Sequence, residues 1–115
     1  MTAGNPLLEI TPEADAIRLT GEIDLSNADH LATVLSPQVR EGNHMVLDCE
    51  GLVFIDSMGM AALLAICKGL GASGRLTLRM VPAHVAKAAH VLGLDRLPNL
   101  ELTSSKSSPG MAASA

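Results

Sequence analysis

The sequence predicts a single α/β domain whose core is a mixed, mostly parallel β-sheet with helices packed on it. Segments with the apolar pattern of strands alternate with segments of helical spacing, in the order strand, strand, helix, strand, helix, strand, helix and weak strand. This alternation requires crossover connections, which favour parallel pairing. The chain has 115 residues, 48% of them hydrophobic, which is enough for one core.

The chain begins with a predicted antiparallel hairpin. Leu7–Ile10 is short and apolar, and Ala16–Thr20 alternates apolar and polar residues as a half-buried strand does. The polar turn between them contains Pro12. Their proximity along the chain favours a hairpin, and Gly21–Leu25 is expected to leave the second strand as a loop.

A first helix is predicted after this loop. Ser26 with Asp29 three residues later has the spacing of a capping box. Apolar residues then recur at helical spacing up to Val39, so one stripe should face a core. Pro37 is expected to kink this helix or end it near Ser36.

The second half alternates strand and helix. Met45–Leu47 reads as a strand buried on both faces, and Asp48–Gly51 as a turn. The elements expected after it are a helix from Ser57 to about Leu70, a strand over Leu76–Met80, a helix over Ala83–Leu92 introduced by Pro82, and a weak strand over Leu100–Leu102. The domain is thus placed at residues 7–102, with an extension at 1–6 and a disordered tail at 103–115.

Composition argues against several classes of function. Phe54 is the single aromatic residue and the net charge is −4, which argues against base stacking and against binding to a phosphate backbone. No apolar run approaches the ~20 residues that a membrane span needs. The N-terminus shows no secretory signal, so a cytoplasmic protein without nucleic-acid or membrane partners is expected.

Residues that could carry chemistry elsewhere do not form a recognisable site. His30, His44, His84 and His90 are scattered, so no metal site is expected, and no cofactor-binding motif or catalytic constellation is evident. The glycine-rich run at 69–74 follows a helix instead of opening one, so it is interpreted as a helix exit. Cys49 and Cys67 are expected to be buried free thiols, with a redox-sensing disulfide as the alternative.

The helix from Ser57 to Leu70 has two unequal faces on a helical wheel. The bulky residues gather on one side, which should pack on the sheet: Met60, Leu63, Leu64, Ile66, Cys67 and Leu70. The opposite side is small and apolar with one charge: Met58, Ala61, Ala62, Ala65, Lys68 and Gly69. Either another element of the same chain covers that side, or a partner protein docks on it.

Ser57 lies where this helix begins. Asp56 or Ser57 could simply cap the helix, which is a common arrangement. Alternatively, Ser57 accepts a phosphate, which would add about −1.5 to −2 charge beside the proposed docking side. The helix N-terminus could tolerate that charge, whereas a partner fitted to an apolar surface could not.

Two segments resemble the motifs of a known family. Residues 46–60, Val-Leu-Asp-Cys-Glu-Gly-Leu-Val-Phe-Ile-Asp-Ser-Met-Gly-Met, resemble the core motif of STAS domains of the bacterial anti-sigma factor antagonists. Residues 17–24, Ile-Arg-Leu-Thr-Gly-Glu-Ile-Asp, look like the second-strand signature of that family. The resemblance extends over roughly residues 7–102.

This resemblance implies a function. Antagonists of this family bind an anti-sigma factor that is also a serine kinase, which frees a sigma factor for transcription in a stress response. Phosphorylation of the serine after the motif aspartate ends the binding, and a phosphoserine phosphatase restores it. By position the serine is Ser57, Asp56 is the motif acid, and Asp24 is an acid near the phosphorylation site. The docking surface would comprise Met58, Gly59, Ala61, Ala62, Ala65 and Lys68.

Met58 departs from the pattern, because relatives often carry a second small hydroxyl residue there. Its presence makes Ser57 the clearer phosphoacceptor and the docking side more apolar. The alternative function is a stand-alone STAS subunit of a lipid-transport or scaffold complex, without phosphorylation and with a permanent partner. An enzyme is not expected. The identity of the sigma factor and the kinase, the signal, and homodimer formation are left open.

Overall fold

The computed structural model describes residues 7–104. Within them the chain forms an α/β domain with a five-stranded sheet and three α-helices, which confirms the predicted fold class. The elements are β1 (Leu8–Pro12), β2 (Ile17–Ile23), α1 (Ala28–Leu35), β3 (His44–Ile55), α2 (Ser57–Gly69), β4 (Arg75–Val81), α3 (Ala83–Val91) and β5 (Leu100–Ser104). Short 3₁₀ turns follow α1 and α3, at Ser36–Gln38 and Leu94–Arg96.

The strands lie in the sheet in chain order, β1-β2-β3-β4-β5. The β1–β2 hairpin is antiparallel as predicted, and the other neighbours are parallel. Because the three crossovers step in the same direction, right-handed connections place all three helices on one face. That face carries the core, with Leu19, Leu47 and Leu78 at most 3% exposed.

The opposite face of the sheet is polar and uncovered within the described residues. Arg18, Asp48 and Arg79 are neighbours across β2, β3 and β4. Both guanidinium groups lie 3.6 Å from Asp48 Oδ2, so this carboxylate is 4% exposed and still paired. A hydrogen bond from Arg79 lowers the pKa of Asp15 in the β1–β2 turn. These contacts tie the hairpin to β4.

Two predictions about strand length are wrong. Asp48–Gly51 was expected to turn but lies inside β3, and Gly21–Ile23 was expected to be loop but completes β2. The pairing of these strands shifts register twice, between Arg18 and Thr20 and between Gly21 and Glu22. The extra residues form β-bulges, so acidic and glycine residues typical of turns are held in a paired ladder.

The helix boundaries follow the sequence more closely. The first helix ends at Leu35, as expected from Pro37, and α2 ends one residue before the predicted Leu70. The last strand includes Thr103 and Ser104, which were predicted to belong to the disordered tail. Residues 1–6 and 105–115, which hold the predicted extension and the rest of that tail, lie outside the described residues.

Candidate functional site

The N-terminus of α2 is capped by Asp56. Its Oδ1 accepts a hydrogen bond from the Gly59 N–H at 2.9 Å, and its Oδ2 accepts one from the Leu25 N–H at 3.1 Å. The Asp56 N–H donates to Ile23 O at 3.1 Å. The two alternatives for capping are therefore resolved in favour of Asp56, whose carboxylate also joins α2 to the turn that follows β2.

That turn is closed by Asp24 and Asn27. Asp24 Oδ1 accepts from the Ser26 N–H at 2.9 Å and from the Ser26 hydroxyl at 2.6 Å. The Asp24 N–H in turn donates to Asn27 Oδ1 at 2.9 Å. The predicted capping box of Ser26 and Asp29 is therefore wrong, because the Ser26 hydroxyl donates to Asp24 and the residue before the first residue of α1 is Asn27. The turn that Asp24 closes is joined to the start of α2 by the bond between the Leu25 N–H and Asp56.

Ser57 occupies the first position of α2 and is exposed. Within residues 7–104 its hydroxyl makes no hydrogen bond, and the Ser57 and Met58 N–H groups also have no acceptor there. Open N–H groups at a helix N-terminus are suited to a negatively charged group. The hydroxyl is thus accessible, and a phosphate on it would find two donors close by.

The two faces of α2 are arranged as the helical wheel predicted, but one residue of the docking surface that the family resemblance implied does not lie on the outer side. The docking face, which we define as Met58, Ala61, Ala62, Ala65 and Lys68, is exposed apart from the half-buried Ala62. Gly59, predicted to belong to it, is buried. A Cβ at Gly59 would lie 2.6 Å from Ile55 Cγ1 and 2.8 Å from Ile23 Cγ2, so this glycine allows the helix to contact the sheet.

Three further apolar side chains are exposed in the segments that lead to Asp56 or bond to it. Leu25, Val53 and Phe54 are 73%, 58% and 47% exposed, and each lies in or next to the segments that Asp56 joins. Val53 and Phe54 point outward because the second register shift in β3 breaks the alternation of the strand. Their exposure depends on how β3 pairs with β2, so the local sequence pattern does not predict it.

A shallow groove flanks Ser57 on the side of α3. Its volume is about 290 Å³, and its lining comprises Ser57, Met60, Ala61, Leu64, Leu92, Gly93 and Leu94. Leu92 is 54% exposed at the rim. Ser57 therefore borders a mostly apolar groove.

The remaining candidate residues form structural contacts. Cys49 and Cys67 are buried free thiols, as expected, and burial raises the pKa of Cys49 to about 12 and that of Cys67 above its usual value. His84 Nε2 lies 2.6 Å from Val53 O, and His90 Nδ1 lies 2.7 Å from Asp95 Oδ2. No group of three or more metal-ligating side chains occurs among the described residues.

Of the helices that the structure describes, none combines the length and the apolar character that crossing a membrane requires.

A family model described as "Mlab, STAS domain" matches residues 7–102, which is nearly all of the described chain. The chain belongs to the STAS domain family. STAS domains are generally regulatory binding domains and not enzymes, which fits a site made of one free hydroxyl and apolar surface.

Solved structures share the fold of this STAS domain. An anti-sigma factor antagonist from Mycobacterium paratuberculosis is 20% identical, with 93% of this chain and 90% of that chain covered and a TM-score of 0.67. The anti-sigma factor antagonist SpoIIAA in its unphosphorylated form is 17% identical, with 93% and 94% covered and a TM-score of 0.61. The murine anion transporter Slc26a9 matches at 17% identity and a TM-score of 0.59, over 81% of this STAS domain but 17% of the transporter.

Proposed function

We propose that this STAS domain is an anti-sigma factor antagonist that Ser57 phosphorylation switches off. In the unphosphorylated state it binds a cytoplasmic anti-sigma factor with serine kinase activity and so releases a sigma factor. It acts by binding and not by turnover of a substrate. A phosphoserine phosphatase returns it to the binding state.

The observation that carries this proposal is the unbonded Ser57 hydroxyl, exposed at the start of α2 and bordered by apolar surface. Met58 is 46% exposed next to it, and Ala61 and Ala65 continue the docking face along the helix. Small side chains let the backbone of a partner approach closely. Their apolar character supports a contact that excludes water, in which an added charge costs several kcal/mol.

Phosphorylation can end such a contact without refolding the domain. The phosphate adds about −1.5 to −2 charge, and the open Ser57 and Met58 N–H groups and the helix dipole can stabilise it within the domain. Asp56 keeps its role as cap because its two oxygens already have donors. The phosphate therefore weakens the binding of the partner more than it lowers the stability of the domain, because in the complex the same charge faces apolar or acidic partner atoms.

The test uses purified protein to capture partners from a lysate of its own source, with the captured proteins identified by mass spectrometry. We expect wild type and Ser57→Ala to retain a protein with an ATP-binding serine kinase domain, and Ser57→Asp to lose it. With ATP, that kinase should add one phosphate to wild type and none to Ser57→Ala. Ser73→Asp, which adds an equal charge in the exposed loop after α2, is the matched control and should bind like wild type.

Retention of the kinase by Ser57→Asp at wild-type affinity would contradict the switch. Phosphate found on Ser57→Ala after incubation with kinase and ATP would contradict the assignment of the phosphoacceptor.

A second candidate is a permanent STAS subunit of a lipid-transport or scaffold complex, since the matching family model is described as Mlab and not as an anti-sigma factor antagonist. Related antagonists often have a second hydroxyl residue at the position of Met58. Its replacement by methionine is consistent with a surface that is never phosphorylated. The same docking face would then pack permanently on an ATPase subunit. Protein isolated from its own source would carry no phosphate by intact mass and would co-purify with that ATPase in a fixed ratio.

A further inference from the structure

We propose that Asn27 is a positioning residue for the Ser57 phosphoacceptor, acting through the turn at residues 24–27 and through Asp56. This inference rests on the proposed phosphorylation of Ser57. Asn27 does not touch Ser57, and its role follows from a chain of hydrogen bonds that begins in the core and ends at the first turn of α2.

Asn27 is the most buried polar residue in the described structure, with no exposed surface. Its Oδ1 accepts from the Asp24 N–H at 2.9 Å, and its Nδ2 donates to Glu22 O at 2.8 Å. A buried amide is costly unless both of its ends are bonded. Here both ends are used to fix the main chain that leaves β2, so Asn27 anchors the turn from inside.

The anchored turn presents one main-chain donor to α2. The Leu25 N–H points at Asp56 Oδ2, while Asp56 Oδ1 holds the Gly59 N–H. Asp56 thus bridges the turn at residues 24–27 and the first turn of α2. Ser57 lies in the sequence between Asp56 and Gly59, which are bonded to each other. Since the Ser57 hydroxyl has no bond of its own within residues 7–104, the main chain alone sets its position.

Phosphoryl transfer depends strongly on such positioning, because a misplacement of about 1 Å can reduce the rate by up to about 100-fold. Loss of the Asn27 amide would free the turn, weaken the bond between the Leu25 N–H and Asp56, and let the start of α2 move. The part of the docking face beyond the first turn, from Ala61 to Lys68, should stay in place, because the buried Leu63 and Ile66 hold that part of α2.

The first experiment measures kinetics with the kinase recovered by the wild-type protein and with ATP. Asn27→Ala should lower kcat for Ser57 phosphorylation by about 10-fold to 100-fold and leave KM for the STAS domain within about twofold. Leu35→Ala is the matched control, because Leu35 is a buried residue at the far end of α1. It lowers stability without touching the turn and should leave kcat unchanged at a temperature where both variants are folded.

A second pair of variants addresses the bond to Asp56 directly and does not remove a buried amide. Leu25 follows Asp24 at the start of a helical turn, shown by the Ala28 N–H donating to Asp24 O at 2.9 Å, and proline is favoured at such a position. Leu25→Pro removes the N–H, and Leu25→Ala removes the exposed side chain only. We expect Leu25→Pro to lower kcat and Leu25→Ala to preserve it.

Hydrogen exchange on the isolated protein separates failure of this inference from failure of the proposed function. In Asn27→Ala the Leu25 and Gly59 amides should exchange about tenfold faster relative to Leu35→Ala, the factor of roughly one net hydrogen bond. Equal exchange in the two variants, or an equal loss of kcat, would overturn the positioning role. If no kinase phosphorylates Ser57 but the exchange difference is found, the proposed function fails, whereas the structural link from Asn27 to the start of α2 is confirmed.

Discussion

The two faces of α2 are both apolar, yet they differ in side-chain size and in what they contact. The inner face packs on the sheet and is almost fully buried, with Met60, Leu63 and Ile66 at most 4% exposed. The outer face is formed by alanines and ends in Lys68. The helix therefore stabilises the domain with its large residues and leaves its small residues exposed, where the proposed partner would dock. If that proposal holds, substitutions on the two faces should change stability and binding separately.

The largest expected effect comes from the inner face. Leu63→Ala should lower the free energy of unfolding by about 2–5 kcal/mol, because it removes buried methyl groups and leaves a cavity. Urea denaturation measures this loss. Where the variant is still folded, it should bind the partner as wild type does. A loss of affinity without a loss of stability would show that the inner face also determines partner binding, which would contradict the division of roles between the two faces.

A smaller effect is expected where the inner face meets the chain before β5. Asn99 accepts from the Cys67 thiol at 3.0 Å and donates to Cys67 O and Gly71 O at 2.9 and 3.0 Å. Asn99→Ala should cost about 1–3 kcal/mol, because it removes three hydrogen bonds and leaves the Cys67 thiol without its acceptor, while both main-chain oxygens keep a second donor. It should also increase alkylation of Cys67 by iodoacetamide, measured by mass spectrometry.

Cys49 is the internal control for this experiment. It lies in β3, far from Asn99 in the sequence, and its thiol has a pKa raised by burial to about 12. It should stay unmodified in the folded wild type and in the variant. Alkylation of both cysteines would indicate global unfolding, and an unchanged Cys67 would show that Asn99 does not protect it.

The smallest change in stability is expected on the outer face. Ala65→Glu should alter the free energy of unfolding by no more than about 0.5 kcal/mol, since the side chain points into solvent. Binding of the partner should weaken by about tenfold or more, because a charge enters an apolar contact. Ala72→Glu, in the exposed loop after α2, adds the same charge elsewhere and should bind normally. Unfolding of Ala65→Glu would place this face inside the domain.

The sequence predicted those parts of the site that depend on local periodicity. The helical repeat from Ser57 onward gave the length of α2 and its two faces, and the motif at residues 46–60 indicated the family before any coordinates. Contacts between distant segments were not predictable in this way. Leu25 and Asp56 are 31 residues apart, and nothing in either segment shows that a main-chain donor meets a carboxylate.

The errors have the same origin. Asp48–Gly51 has the composition of a turn, but pairing with β2 outweighs local preference and keeps it extended. Gly59 was assigned to the docking surface, yet it lies at helical spacing from Leu63 on the inner face, where the side chains of the sheet approach so closely that a glycine is needed. Asn27 does precede the first residue of α1, but its local sequence does not show that the fold encloses it completely.

The two bulges in β3 have a consequence for how this gene can change. Each bulge places one residue more in β3 than in β2, so two residues, Val53 and Phe54, face outward between the inward Leu52 and Ile55. Deletion of either one would restore simple alternation, in which Ile55 stays in the core and Ser57 stays at the start of α2. One exposed apolar side chain would be lost from the segment that leads to Ser57. The number of codons in this segment can therefore fall by one without moving the core residues to the outer face.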